Sequence, residues 1–250
     1  MVGIFFTARL GSTRLSQKHL IEVNGKTFIE WLVERYIAEF QREIENEEIK
    51  IFITTSVKKE NKKFEDIFKS DSVKVFYGSD ENIPLRHLQC AEKNNIKYII
   101  SIDGDDILCS TQAARILLNK LKLGSDMVYT TGLPLGMNVS GYTVDFLTES
   151  LENERHEKLE TGWGRIFDKD KIDIIDISGY KQGTHLRMTL DYEEDAEFFA
   201  KVINHLKNDI LYISDKILID LILEKNWARL NESLNDTYWA NFNKQKQEED

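Results

Sequence analysis

The chain has 250 residues, 41% of them apolar, and a formal net charge of −10. This length suits one large α/β domain with enough apolar material for a sizeable core. The acidic balance argues against general nucleic-acid binding, which needs a basic surface to neutralise a phosphate backbone, and no apolar run is long enough to span a bilayer.

The N-terminus enters a strand-like run at once, Val2–Phe6, with no signal-peptide pattern. A loop, Ala8 to Leu20, follows (ARLGSTRLSQKHL). Thr27–Phe40 reads as a helix with Phe28, Trp31, Leu32, Tyr36 and Phe40 near one face. Then come a strand at Ile49–Thr54, a helix at Lys59–Lys69 and a strand at Val73–Tyr77. A helix follows at Pro84–Asn94 with proline in its first turn. Tyr98–Ile102 is a strand ending in acidic residues, Thr111–Leu121 a helix and Asp126–Tyr129 a strand. This alternation predicts a mostly parallel sheet with helices on both faces.

The second half is less regular. Gly132 to Gly141 reads as a loop from its glycines and Pro134. Asp145–His156 is expected as a helix, Gly162–Lys171 is ambiguous, and Leu186–Leu190 (LRMTL) is expected as a strand leading to Asp191. Glu194–Leu206 and Asp215–Asn226 are expected as helices, the second capped by Ser214. The final NKQKQEED is polar and expected to be disordered. The two cysteines, Cys90 and Cys109, make a poor disulfide framework and read as reduced thiols of a cytoplasmic protein, with their pairing left open.

Four constellations carry chemistry. The first is the Ala8–Leu20 loop, where Gly11, Ser12 and three cations (Arg9, Arg14, Lys18) follow a first buried strand. Doubly wound sheets bind ligands at the carboxyl ends of their strands. Backbone N–H groups beside a glycine can approach an anion. Lys18 could meet a phosphoryl oxygen as a point charge, and Arg14 or Arg9 could fork onto others. An ordinary turn with surface cations is the competing reading. The second is Asp103-Gly104-Asp105-Asp106 after a core strand. Hard oxygens there suit Mg²⁺ with phosphate, and a solvated acidic turn is the alternative. The third is Asp191, another carboxylate at an expected strand end; a helix cap competes with a ligand role, and for Asp195 the cap is preferred. The fourth is Gly78-Ser79-Asp80 with Arg86, which reaches either a nucleotide or solvent. No zinc spacing and no GxSxG element occurs.

With these motifs in view, the chain resembles the cytidylyltransferases that activate acidic sugars. These are the 3-deoxy-manno-octulosonate and acylneuraminate enzymes, with the SpsF-like spore-coat polysaccharide proteins as the nearest subgroup. The resemblance rests on ARLGSTRLSQKHL with Val23-Asn24-Gly25-Lys26, then Thr54-Thr55-Ser56, Tyr77-Gly78-Ser79, Gly104-Asp105, and Leu190-Asp191 through Asp195, over residues 2 to 205. It implies a Rossmann-like, GT-A-like nucleotidyltransferase fold and Mg²⁺-dependent transfer of CMP from CTP. The acceptor would be a sugar acid or other small molecule, and pyrophosphate would be released, in surface-glycan precursor synthesis. Ala8, Arg9, Gly11, Ser12, Arg14, Lys18, Ser79, Arg86 and Asp103 would bind the nucleotide, Lys18 and Arg14 would serve catalysis, and Asp105 and Asp191 would hold the metal. Residues 132–185 would form an acceptor-binding or oligomerisation insertion, and relatives of this kind often dimerise.

The chain departs from that pattern at Ser16 and Ile107, where proline is usual, and at Glu160-Thr161-Gly162-Trp163-Gly164, where SpsF-like proteins often carry Glu-His-Val-Thr. Two other functions stay open. A GT-A glycosyltransferase would use Asp103-x-Asp105 as a DxD motif, although the basic loop favours a triphosphate. A non-catalytic nucleotide-binding descendant is the other.

Overall fold

The computed structural model describes residues 1–12, 14–177 and 183–249. Thr13 of the first loop, residues 178–182 of the expected insertion and Asp250 of the tail lie outside them.

The first half alternates as its sequence predicts: β1 (Val2–Thr7), a two-strand ribbon of β2 (Glu22–Val23) and β3 (Lys26–Thr27), then α1 (Phe28–Glu39) and the short α2 (Gln41–Glu45). Helix α1 starts at Thr27 because a capping box closes there: the Thr27 hydroxyl accepts from the Glu30 N–H, and the Glu30 carboxylate accepts from the Thr27 N–H. Then come β4 (Ile49–Ser56), a 3₁₀ turn running into α3 (Lys63–Ile67), and β5 (Val73–Gly78). Helix α4 (Ile83–Asn94) is capped by the Asn82 side chain. It leads to β6 (Tyr98–Asp103), α5 (Thr111–Lys122) and β7 (Met127–Thr131).

The second half corrects several expectations. Residues 140 and 141, expected in a loop, open a strand, β8 (Ser140–Thr143). Gly141 is there for packing: a Cβ would lie 2.8 Å from the Ile99 carbonyl and closer still to Leu117, so α5 can press onto the strand only over a glycine. The helix expected at Asp145–His156 is α6 (Val144–Glu152), capped by Thr143. Within the ambiguous stretch lie 3₁₀ turns at Trp163–Ile166 and Lys169–Lys171, and β9 (Ile172–Asp176) follows. Leu186–Leu190 is not a strand. It runs between two loops, with Met188 N–H on the Leu135 carbonyl and Leu190 N–H on the Asp105 carbonyl, and its one bridge joins Arg187 to Leu135. Its apolar–polar alternation is real but serves loops rather than a sheet. After α7 (Glu193–Leu206) and α8 (Asp215–Glu224), the polar tail is helical: α9 spans Asn235–Glu249.

Among the described residues the large sheet has the order β5-β4-β1-β6-β8-β7-β9, with β8 alone running against the others. The mostly parallel sheet was expected. Residues 132–185 supply two of its strands, β8 and β9. Alternation along β1 divides the core. Val2, Ile4 and Phe6 join the cluster that includes Leu32, Leu117, Phe199 and Leu218, while Phe5 faces Cys90, Ala91 and Phe146. Cys90 and Cys109 are both buried and unbridged.

Strand β1 pairs with β4 on one side and β6 on the other. Loops leaving neighbouring strands of a doubly wound sheet diverge at such a point and leave a crevice. Here the acidic turn after β6 is pinned to the end of β1 by the Gly104 N–H on the Thr7 carbonyl at 2.8 Å. A Cβ on Gly104 would lie 2.8 Å from the Ala8 Cβ, so the approach requires glycine.

A polar pin crosses this layer. His87, fully buried on α4, has Nε2 2.8 Å from the Thr7 hydroxyl and Nδ1 2.6 Å from the Tyr142 hydroxyl. Burial, and then the charge of Arg86, lower its imidazole from 6.5 to about 3. A base with a lowered folded value contributes stability that is full above its unfolded value and is lost as pH falls from about 6.5 toward 3. Between pH 7 and pH 5 this one group should cost about 2 kcal/mol. His87→Gln should lose that much less over the same interval in urea unfolding; equal losses in the two proteins would contradict a neutral buried imidazole.

Candidate active site

A cleft of about 710 Å³ opens at the carboxyl end of β1 and β6. Its floor is an ion cluster. Lys18, 5% exposed, opens a 3₁₀ turn (Lys18–Leu20) after Gln17 in a left-handed conformation. Its Nζ donates to Asp105 Oδ2 at 2.6 Å and to Asp191 Oδ1 at 3.1 Å. Burial alone would lower the Lys18 pKa, but the two carboxylates outweigh it and hold the ammonium above its ordinary value. In return, Lys18 overcomes the effect of burial on Asp105 and lowers its carboxyl.

Asp191, 1% exposed, is ringed by cations. Arg14 meets Oδ1 at 2.6 Å and Arg187 meets Oδ2 at 3.0 Å. Arg187 also forks onto Asp195 at 2.9 and 3.0 Å, and Asn231 donates to the same Asp195 at 2.9 Å. Asp195 accepts the N–H groups of Asp191 and Tyr192. The preferred capping reading of Asp195 therefore holds, and the residue does something more, because it fixes the arginine that fixes Asp191. Arg187 is the main functional residue that sequence reasoning missed. Its signal was present as acidic partners at i+4 and i+8, but an apolar-flanked arginine in a supposed strand gave no reason to use it.

The rest of the loop surrounds this floor. Ala8, Arg9, Gly11, Ser12, Arg14, Arg86, Asp103, Asp105 and Asp191 all line the cleft with Lys18. The loop's course is held from below: Asn61 accepts the Leu10 N–H at 2.9 Å and donates to Ser56. Arg9 pairs with Glu160, a partner that sequence reasoning did not find. Arg86 is 1% exposed and gives two donors to the Ser79 and Asp80 carbonyls, at 2.8 and 2.9 Å. Burial first lowers its guanidinium to about 10. Ser79 stands behind Arg86 rather than in the cleft wall; its part is to aim that arginine. Asp103 reaches into the cleft. Confinement among protein atoms, and then the neighbouring Asp105, raise its carboxyl to about 7, while Asp106 is raised well above the usual range by burial and the same neighbours.

The donor set suits a divalent ion. Asp105 and Asp191 already share one cation, Lys18 Nζ, so their oxygens converge within reach of a single charge. Mg²⁺ typically takes one or two carboxylates and completes its shell with phosphate oxygens and water. Among the described residues no group of three or more His, Cys, Asp or Glu forms a ready-made metal cage. Phosphate would have to supply the remainder.

The chain is similar to known proteins in sequence and in fold. The family model described as Cytidylyltransferase matches residues 4–217. The spore coat polysaccharide biosynthesis protein SpsF of Bacillus subtilis is 25% identical over 202 residues, covering 76% of this chain and 81% of its own. A cytidylyltransferase structure from Leptospira borgpetersenii superposes with a TM-score of 0.79 at 22% identity, covering 92% of this chain and 97% of that one. The structure of CMP:2-keto-3-deoxy-manno-octonic acid synthetase complexed with CTP gives 0.59 at 12% identity, covering 82% and 98%. No described helix is long and apolar enough to cross a membrane.

The ring around Asp191 makes a stability prediction. Arg187→Met leaves two buried carboxylates facing each other without their shared partner, which should cost about 3–5 kcal/mol. Arg187→Lys should recover little, because one ammonium cannot fork onto both acids. Denaturant unfolding of the two variants measures this; a wild-type midpoint for Arg187→Met would mean that Arg14 and Lys18 suffice.

Proposed function

Because the chain belongs to the cytidylyltransferase family, we propose that it transfers CMP from CTP to a small acidic acceptor of the sugar-acid class and releases pyrophosphate. The observation that carries this reading is the convergence of Lys18 with Asp105 and Asp191 on the cleft floor beneath Arg9, Arg14 and Arg86. A triphosphate needs many positive charges in one place, and an otherwise acidic chain concentrates them here.

An acceptor hydroxyl oxygen attacks the α-phosphorus of CTP, and its proton passes to water. The new P–O bond forms as the bond to the bridging oxygen breaks, and pyrophosphate leaves in line. Most of the rate comes from alignment and preorganised charge. The Gly11–Ser12 turn lets the backbone approach the phosphates. Arg14 and Lys18 face the α-phosphate and the leaving group. Arg9 exchanges its pairing with Glu160 for a phosphoryl oxygen, and Arg86, aimed by the Ser79 and Asp80 carbonyls, supports the nucleotide. Asp105 and Asp191 would hold Mg²⁺, which when bound neutralises phosphate oxygens as a Lewis acid. Asp195 and Arg187 keep Asp191 aimed. Support for the acceptor class comes from the structural neighbour named for 2-keto-3-deoxy-manno-octonic acid, and support for a role in surface glycans from the spore coat polysaccharide relative.

A pyrophosphate-release assay with Mg²⁺ tests this, crossing four nucleoside triphosphates with sugar acids, sugar phosphates and other small phosphorylated acceptors. CTP should be the productive donor. Lys18→Met and Asp105→Asn should each cut turnover by about 10²–10³-fold while circular dichroism stays unchanged. Release of a nucleoside diphosphate from a sugar nucleotide would overturn the reading in favour of glycosyl transfer, and a folded Asp105→Asn with full turnover would remove that carboxylate from the site.

A further inference from the structure

Helix α9 lies beyond the family match, which ends at residue 217, yet it builds part of the cleft wall. Tyr238, Phe242 and Gln245 line the cleft at i, i+4 and i+7, one face of the helix. Three contacts hold that face in place. The Arg187 guanidinium lies 4.7 Å from the Tyr238 ring, so α9 rests on the same arginine that orients Asp191. Asn241 donates to the Tyr192 hydroxyl at 3.0 Å. Glu249, its side chain only 4% exposed, accepts from the Thr161 N–H at 2.9 Å and the Glu160 N–H at 3.1 Å, with Arg165 3.8 Å away. A charged acceptor on two backbone donors is among the stronger anchors available to a helix end.

The loop so gripped is Glu160–Gly164, where the chain departs from the pattern it resembles. Phe242 packs beside it: a Cβ on Gly162 would lie 3.4 Å from the ring. One departure from that pattern and a helix beyond the family match, distant in sequence, therefore meet on one side of the cleft. That side combines the rings of Trp163, Tyr238 and Phe242 with the amide of Gln245. Aromatic surface with a single amide suits the C–H face and the hydroxyls of a sugar ring.

We propose that α9 and the Glu160–Gly164 loop form the acceptor-selecting wall of the active site for a sugar-ring acceptor, latched by Glu249 on the Glu160 and Thr161 amides. The selecting role rests on the CMP-transfer reading; the latch does not.

Phe242→Ala and Gln245→Ala are compared with wild type by pyrophosphate release and by CTP calorimetry. CTP affinity should stay within about twofold, and acceptor KM should rise about tenfold or more. Unchanged acceptor KM, or CTP affinity falling in step with it, overturns the assignment. Hydrogen exchange on the ligand-free full chain tests the latch: Glu249→Ala should speed exchange across α9 about tenfold or more, and Glu249→Gln less. Unaltered exchange overturns the latch. A wild type that releases no pyrophosphate with any acceptor defeats the CMP-transfer reading alone. Saturation-transfer NMR with gluconate, glucuronate and glucose 1-phosphate then decides the wall. A wild-type signal lost in Phe242→Ala supports it, and no wild-type signal from any of the three overturns it.

Discussion

Everything in the cleft depends on the neutralisation of Asp191. A carboxylate this deeply buried costs several kcal/mol unless it is paired, and here three cations from two parts of the chain close on it: Arg14, Lys18 and Arg187. The pairing joins the loop after β1 to the segment before α7. Asp105 draws Lys18 from the other side. The cluster is therefore both a structural clasp and a charged floor. Arg187 and Asp195 are fully enclosed and fix the geometry, while Lys18, Arg14 and Asp105 keep a face toward the cleft.

The sheet order explains why these residues can meet. Strands β1 and β6 are neighbours although some 90 residues separate them, and both end at the same edge. The loop after β1 brings cations, and the turn after β6 brings carboxylates. Leu186–Leu190 crosses the edge between the 135 loop and the acidic turn and delivers Asp191 as the third component.

The cations around the rim are held by groups of the protein itself. Glu160 holds Arg9, and backbone carbonyls hold Arg86. Both are oriented in advance, Arg86 in a buried position and Arg9 in an exposed one, which lowers the cost of ordering them around a ligand. Glu160 lies on the loop gripped by α9, so the Arg9 side of the cleft and the wall built by α9 share one short segment.

Local signals were enough for much of this protein. The apolar runs of β1, β4 and β6, the capping residue of α8, and the grouping of Gly11, Ser12, Arg14 and Lys18 are short-range patterns that a chain carries in its own order. They disclosed the parallel sheet, the cationic loop and the two acidic turns. What depends on contact between remote residues was not legible. Gly141 looked like a loop residue because its reason is the approach of α5. Glu160 carried no mark of its pairing with Arg9, and Arg187 none of its clasp on Asp191 and Asp195. The polar C-terminal stretch looked unstructured because polarity describes the face a helix turns to water; Tyr238, Asn241 and Glu249 hold it through partners that only the folded chain brings within reach. Sequence order thus specified which chemical groups were present and which edge of the sheet would receive them. Their pairing was decided by packing, because the free energy of a buried charge depends on what surrounds it in space.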